Sequence, residues 1–163
     1  MQTLYILCGL PFAGKSILGK EMSIKTGYTL ISYDDVWQSL SHLNKNITYQ
    51  IVLDDCKKQI TDLLNDGFSV IYDSANPKEQ HRSEFEDLAK ASGVNSKVIY
   101  LELSLDEINK RREKSLIDKT HHVVSDENFN NAVLQLEPPV GAMVLRNEEE
   151  KEKFLDSLKN QTL

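Results

Sequence analysis

A short stretch near the start of the chain, from Gly9 to Ser16, has the residue types and the spacing needed to bind phosphate. It reads G-L-P-F-A-G-K-S, a glycine-containing turn that ends in a lysine and a hydroxyl residue. Backbone N–H groups of such a loop point at one anion, and the dipole of the following helix favours negative charge at the same place. In this pattern Lys15 reaches the terminal phosphates of a nucleotide, and the Ser16 hydroxyl ligates magnesium. The stretch therefore predicts a nucleotide-binding loop.

Aspartates follow two later apolar runs and are candidates for the chemistry beside the phosphates. Asp73 closes the run 68–72, where it is either the acid on the magnesium side of the site or a cap for the following turn. Asp34 and Asp35 follow the run 28–33. Asp34 is predicted to accept the proton of an attacking hydroxyl, and the alternative is that it N-caps a helix beginning at Val36.

A basic group precedes a polar stretch in the second half of the chain. It consists of Arg111, Arg112, Lys114 and Lys119. Arginines on a closing lid can stabilise the charge of a transferring phosphoryl group, whereas a run of charges is also typical of a solvated helix face. We favour the first interpretation for Arg111. His121 and His122 have no partner at metal-ligand spacing and are expected on the lid surface.

The elements that must position these residues alternate between strands and helices. Apolar runs predict strands over 3–8, 28–33, 68–72, 97–103 and 142–145, and helical spacing predicts helices over 14–25, 36–40, 47–65, 77–92 and 148–158, with another after Ser104. This alternation favours an α/β fold with a parallel sheet. The expected architecture is a three-layer P-loop NTPase sandwich with about five mainly parallel strands. Residues 1–163 are expected to form a single domain, in which 112–135 include a mobile lid.

Composition narrows the classes of partner. The net charge of −6 and the pI near 5.2 argue against extended nucleic-acid binding, which depends on many lysines and arginines. Cys8 and Cys56 lack metal-ligand spacing and are expected to be small core residues in a reducing compartment. No apolar run reaches bilayer-spanning length and no leader pattern is visible, so we expect a cytoplasmic protein without a membrane partner. The sequence leaves the oligomeric state open.

Five segments, taken in order, resemble a known group, the small P-loop kinases of the "AAA domain" ATP-binding type. This group is related to polynucleotide 5′-hydroxyl kinase, zeta toxin and chloramphenicol phosphotransferase. The segments that carry the resemblance are Gly9–Ser16, Ile31–Asp35, Asp73–Asn76 with Arg82, Leu101–Leu105 with Arg111, and Leu136–Pro139.

The resemblance implies an ATP- and Mg²⁺-dependent kinase in which Lys15, Asp34 and Arg111 are catalytic. It also implies three sets of binding residues: Gly9, Pro11, Ala13, Gly14, Lys15, Ser16, Ile17 and Arg111 for the nucleotide; Ser16 and Asp73 for magnesium; and Asp34, Asp35, Trp37, Asn76 and Arg82 for the acceptor.

Two departures from the group bear on the acceptor. Phe12 replaces a loop glycine, and Trp37 stands where an arginine is usual and either stacks on a substrate ring or packs. Without that arginine an anionic acceptor loses its partner, so we expect a neutral small-molecule acceptor. The alternatives are a nucleoside, nucleotide or polynucleotide kinase, and, in another class, a nucleotide-binding switch with little transfer activity. The preference for ATP over GTP depends on the resemblance alone.

Overall fold

The computed structural model describes residues 2–43, 45–118 and 124–159. Within them the strands are β1 (Thr3–Cys8), β2 (Thr29–Ser32), β3 (Val70–Asp73), β4 (Asn95–Leu101) and β5 (Met143–Leu145). The helices are α1 (Lys15–Thr26), α2 (Tyr33–Leu43), α3 (Tyr49–Asn65), α4 (Glu79–Ala91), α5 (Leu105–Asp118), α6 (Asp126–Gln135) and α7 (Glu148–Lys159).

All five strands belong to one parallel sheet in the order β2-β3-β1-β4-β5. The central strand β1 is buried along its whole length, and its Leu4 lies opposite Val70 of β3 and Ser96 of β4. Parallel neighbours need crossover connections, which the helices supply. The predicted α/β fold is confirmed. All strands therefore present their carboxyl ends, and the polar residues that follow them, at the same edge of the sheet.

Successive residues of β1 point to opposite faces of the sheet and build two separate cores. Tyr5 and Leu7 lie in one apolar cluster with residues of α1 and α7, and Leu4 and Ile6 lie in the other with residues of α2, α3 and α4. The sheet is thus the middle of three layers. Cys8 and Cys56 are both buried and unpaired. Among the described residues, no helix combines the length and the apolar character needed to cross a membrane.

Helix α2 is longer than predicted, and its start decides the role of the aspartates there. The backbone N–H of Asp35 donates to Ser32 Oγ at 3.4 Å, so Ser32 caps the helix and Asp34 lies within its first turn. The alternative that Asp34 caps a helix at Val36 is therefore wrong. Acidic residues in a first turn interact favourably with the helix dipole. The Asp34 carboxylate is not needed for capping and is exposed to solvent.

The segment expected to be polar and mobile is mostly helical where the structure describes it. Helix α5 continues to Asp118, and Ser125 Oγ accepts from the Asn128 N–H at 3.1 Å to begin α6. Phe129 anchors α6 because its side chain is buried in the cluster beside α1. The segment that is expected to form the lid therefore contains helical structure where it is described. Lys119, His121 and His122 lie outside the described residues.

Candidate active site

A cavity of about 800 Å³ opens at the carboxyl ends of β1, β2 and β3. The loop between β1 and α1 forms its floor, the start of α2 and the residues after β3 form two sides, and α6 covers it. Among the predicted site residues, those that line it are Pro11, Gly14, Lys15, Ser16, Ile17, Asp34, Asp73 and Asn76. In α/β sheets ligands bind at this edge. The cavity is therefore the candidate active site.

The loop reaches its shape through residues with positive φ. Gly9 has φ 152°, and a Cβ on it would lie 3.0 Å from the Leu101 carbonyl oxygen, so a side chain has no room. Gly14, with φ 99°, precedes the first residue of α1. Phe12 has φ 66° although it is not glycine, which costs on the order of 1 kcal/mol or more. Its ring lies 6.3 Å from that of Phe129 on α6, so an aromatic contact helps to hold the strained residue.

Lys15 lies over the loop that it belongs to. Its Nζ donates to the carbonyl oxygens of Gly9 at 2.9 Å and Leu10 at 2.8 Å. Burial of the ammonium lowers the pKa of Lys15, and the negative charge of Asp73 opposes that shift. The ammonium thus sits at the phosphate-binding end of the cavity and is held by weak neutral acceptors. Phosphate oxygens, which are charged acceptors, would bind it more strongly.

Ser16 and Asp73 meet at the same end of the cavity. Both residues line the cavity, and the Asp73 carboxylate is 6% exposed. Burial raises the pKa of Asp73, the charges of Asp34 and Asp35 raise it further, and the hydrogen bond from Ser16 and the charge of Lys15 lower it. A carboxylate that burial destabilises is suited to a cation. The oxygen donors of Ser16 and Asp73 are those that Mg²⁺ prefers.

The described residues contain no cluster of three or more His, Cys, Asp or Glu side chains that could hold a metal by themselves. Magnesium is usually bound by one or two protein groups together with substrate phosphates and water.

The three predicted substrate-side residues of α2 occupy different places. Asp34 lines the cavity, close enough for its charge to act on both Lys15 and Asp73. Asp35 and Trp37 do not line it. Trp37 is 39% exposed, and its ring lies 6.3 Å from that of Tyr33, which does line the cavity. Trp37 therefore packs behind a cavity residue.

Arg111 approaches the loop from the side opposite the cavity. Its Nη1 donates to the Ala13 carbonyl at 3.3 Å, and its Nε pairs with Glu107 at 3.0 Å. A second cavity, of about 60 Å³, separates Arg111 and Gly14 from Asn147 at the start of α7. Arg111 is thus within reach of the loop, as predicted. Its neighbour Arg112 covers the Phe129 ring at 4.6 Å and pairs with Asp126.

Sequence comparison assigns the family. Residues 4–139 match the family described as AAA domain. The chain belongs to this AAA domain family. No curated protein matches the sequence significantly.

Solved structures show that this AAA domain chain has the fold of P-loop kinases. Chaetomium thermophilum Kti12, in complex with ADP-AlF3, superimposes with a TM-score of 0.75 at 18% identity, covering 98% of this chain and 99% of that one. A gluconokinase from Sinorhizobium meliloti 1021 gives 0.69 at 16% identity, with 98% and 93% covered. The Mycobacterium tuberculosis APS kinase CysC, in complex with AMPPNP and APS, gives 0.64 at 17% identity, with 97% and 98% covered.

Arg82 of the AAA domain protein does not reach the cavity, contrary to the prediction that it binds substrate. It is 1% exposed, and Nη1 donates to the carbonyls of Asn76 and Pro77, each at 2.9 Å. Nη2 donates to the Glu137 carbonyl at 2.8 Å and to the Glu79 carboxylate at 2.6 Å. Its guanidinium therefore forms hydrogen bonds within the protein, and these bonds connect the loop after β3 to the segment after α6.

Asn76 lines the cavity but is also a structural residue. It has φ 45° and is 4% exposed, and its Nδ2 donates to the Leu7 carbonyl at 2.8 Å. This bond fixes the loop after β3 to the end of β1. Asn76 can therefore position the cavity wall, and its amide has little freedom to turn towards a ligand.

Sequence reasoning missed most of the acceptor side of the cavity. The additional lining residues include Tyr33, Tyr49 and His81, and a row of amides on α6 formed by Asn128, Asn131 and Gln135. The sequence could have indicated the row of amides, because their spacing of three and four residues places side chains on the same face of a helix. Nothing in the sequence places Tyr49 and His81, from different helices, beside Asp34.

Proposed function

We propose that this AAA domain protein is an ATP-dependent kinase that transfers the γ-phosphoryl group to a hydroxyl of a small-molecule acceptor. One observation carries the proposal. A single cavity contains the phosphate-type loop with Lys15 and, facing it, the exposed carboxylate of Asp34. A loop of this kind accounts for nucleotide binding, and a carboxylate in the same cavity provides a proton acceptor. The kinase fold of the solved structures supports the same conclusion.

In this proposal the nucleotide lies across the loop. Its β- and γ-phosphates accept hydrogen bonds from the backbone N–H groups at the start of α1 and from the ammonium of Lys15. Its nucleoside part extends towards the small cavity beside Arg111 and Asn147. Kti12 and CysC were solved with ADP-AlF3 and with AMPPNP respectively. Those ligands support a nucleotide as the phosphoryl donor here.

Ser16 and Asp73 would hold magnesium. Phosphoryl transfer spreads negative charge over the γ-phosphate oxygens, and a bound Mg²⁺ neutralises part of it. Both residues line the same cavity, and the Ser16 hydroxyl lies close enough to Asp73 to lower the pKa of that carboxyl.

Asp34 orients the acceptor hydroxyl and takes its proton as the oxygen attacks the γ-phosphorus. The bond from that phosphorus to the bridging oxygen breaks, and ADP leaves. Arg111 binds the phosphate oxygens from the opposite side of the loop once its bond to the Ala13 carbonyl is exchanged. The described part of the segment 112–135 that lines the cavity, which includes α6, acts as a lid and limits the access of water.

The test is ATP turnover with magnesium, for the wild type and for Asp34→Asn, over a panel of nucleosides, sugars, chloramphenicol-like alcohols and 5′-hydroxyl oligonucleotides. Asn keeps the size of the side chain and removes its basicity. An effective acceptor should raise wild-type turnover, and Asp34→Asn should reduce that turnover by about 100-fold or more, the usual contribution of a general base. The affinity for ATP should stay within about threefold, because uniform nucleotide binding does not need this carboxylate.

Ser39→Ala is the matched control, since Ser39 lies on the exposed side of α2 and its hydroxyl bonds to the backbone of that helix. It should leave turnover unchanged. If Asp34→Asn retains full acceptor-dependent turnover, Asp34 is not the base. If ATP binds and no acceptor raises turnover, the nucleotide switch is the better description.

A further inference from the structure

The acceptor side of the cavity has an aromatic wall built from three helices. Tyr33 of α2 and Tyr49 of α3 have ring centroids 5.5 Å apart, and Tyr49 and His81 of α4 are 6.5 Å apart. All three residues line the cavity. The rings are tilted by 36° and 40° to one another, so they lie side by side along the cavity without stacking fully on each other. We call Tyr33, Tyr49 and His81 the aromatic wall.

Core packing alone does not account for this wall. Tyr49 is 50% exposed although it is among the larger side chains of the protein, and it stands at the first position of α3. Tyr33 packs against one of the two apolar clusters, but Tyr49 belongs to neither. Aromatic rings that are left partly open beside a cavity can stack on a planar ligand, and such stacks contribute strongly to the binding of nucleobases.

Uncharged amides project into the cavity from α6. Asn128, Asn131 and Gln135 line it, and their spacing puts them on one face of that helix. A side-chain amide both donates and accepts hydrogen bonds, which suits the polar edge of a heteroaromatic ring. The cavity thus offers ring surface and polar edges in separate places.

The charges that line the cavity argue against an anionic acceptor. Among the described residues, Lys15 is the single lysine or arginine of the lining, and it lies at the phosphate loop. Arg82, which the sequence suggested for this purpose, is buried with its guanidinium already bonded. The carboxylates of Asp34 and Asp73 would repel an acceptor phosphate or carboxylate.

We propose that the acceptor is an uncharged alcohol carrying a planar polar ring, the chemistry of a nucleoside. Its ring stacks on the aromatic wall, the α6 amides bind its edge, and its hydroxyl points at Asp34. This inference rests on the proposed kinase reaction, in which that hydroxyl accepts the phosphoryl group. The acceptor oxygen forms a bond to the γ-phosphorus, the bond from that phosphorus to the bridging oxygen of ATP breaks, and the hydroxyl proton passes to Asp34.

The experiment measures binding and turnover separately with the full chain. Calorimetry with a non-hydrolysable ATP analogue and magnesium present gives the affinity for adenosine, cytidine, glucose and adenosine 3′-monophosphate. Coupled ADP release gives KM and kcat for the same compounds. The variants are Tyr49→Leu and Tyr49→Phe. Phe68→Leu is the matched control, because Phe68 is 53% exposed and precedes β3 at the opposite edge of the sheet.

We expect a nucleoside to bind and Tyr49→Leu to weaken that binding by about 10- to 100-fold, the range of one base–aromatic stack. Tyr49→Phe keeps the ring and should stay within about threefold of the wild type, since stacking needs no hydroxyl. Phe68→Leu and the affinity of every variant for the ATP analogue should be unchanged. If adenosine 3′-monophosphate binds more tightly than adenosine, the acceptor is anionic and the inference is wrong.

Stronger binding of glucose than of either nucleoside, or no nucleoside binding at all, would also overturn it. An equal loss of nucleoside affinity in Tyr49→Leu and Tyr49→Phe would overturn it as well, because the ring would then not determine the affinity. Nucleoside binding that depends on the Tyr49 ring, without any turnover, would support the ligand class and refute the kinase reaction. The two proposals can therefore fail separately.

Discussion

Replacing Arg82 by methionine is the sharpest test of whether the buried arginine is structural. The side chain is 1% exposed and donates to three backbone carbonyls, those of Asn76, Pro77 and Glu137. Methionine keeps a comparable apolar stem and removes the donors, so one carbonyl in a buried bond and two in part-buried bonds lose their partner. The Glu79 carboxylate, by contrast, is 60% exposed and regains water when its partner is removed.

The magnitude follows from those contacts. A hydrogen bond from a charged group contributes about 1.5–3 kcal/mol, and a buried acceptor that is left without a donor costs about 1–3 kcal/mol. Three carbonyls lose their donor and the individual costs are not additive, so we expect Arg82→Met to lower the free energy of unfolding by about 4 kcal/mol. With a urea m-value of about 2 kcal/mol/M, the midpoint should fall by about 2 M.

Urea unfolding followed by far-UV circular dichroism checks the value, and Arg146→Met is the matched control. Arg146 is 57% exposed and pairs with Glu102 at 2.7 Å on the surface, so its loss should cost no more than about 1 kcal/mol. A midpoint for Arg82→Met no lower than that of Arg146→Met would refute a structural role. If, in addition, its KM for an acceptor rose, the original prediction of a substrate contact would be correct after all.

Three further perturbations test the loop and its neighbours. Phe12→Gly removes both the strained φ and the contact with Phe129, and because these two effects of about 1 kcal/mol oppose each other, its Tm should change little. Phe12→Ala keeps the strain and loses the contact, so it should be destabilised by about 1–2 kcal/mol. Equal Tm values for the two variants would contradict this. Because burial lowers the pKa of Lys15 below its usual 10.5, ATP affinity should fall as pH rises towards that value, and titration calorimetry should show no such fall in Lys15→Met. Asp73→Asn should abolish the gain in ATP affinity that magnesium gives and leave magnesium-free binding within about threefold; a full magnesium effect in that variant would exclude Asp73 as a ligand.

The phosphate side of the cavity could be predicted from the sequence because one continuous segment builds it. The residues from Gly9 to Ser16 form a strand end, a turn and a helix start, whose physical requirements are local. Alternating strands and helices also gave the parallel sheet correctly. The boundaries were less accurate. Ser32 caps α2 before the aspartates, and the polar composition around α6 concealed its buried residue Phe129.

The role of each arginine could not be predicted, because it depends on contacts between distant residues. Arg82 and Arg111 both precede polar stretches and both resemble phosphate ligands. Arg82 donates to the carbonyl of Glu137, 55 residues away, and Arg111 donates to the carbonyl of Ala13, 98 residues away. Contacts between residues so far apart leave no local motif in the sequence. Packing alone decides which arginine remains available to a ligand.

The acceptor side differs from the phosphate side for the same reason. Its lining comes from α2, α3, α4 and α6, and each helix contributes a few side chains whose spacing along the chain has no fixed meaning. A phosphate group is the same in every nucleotide, so one loop can serve many enzymes, whereas each acceptor needs a different wall. Substitutions in the aromatic wall can therefore change the acceptor without changing the loop. In the proposed kinase the loop therefore indicates the donor, and residues such as Tyr49, which no motif contains, would select the acceptor.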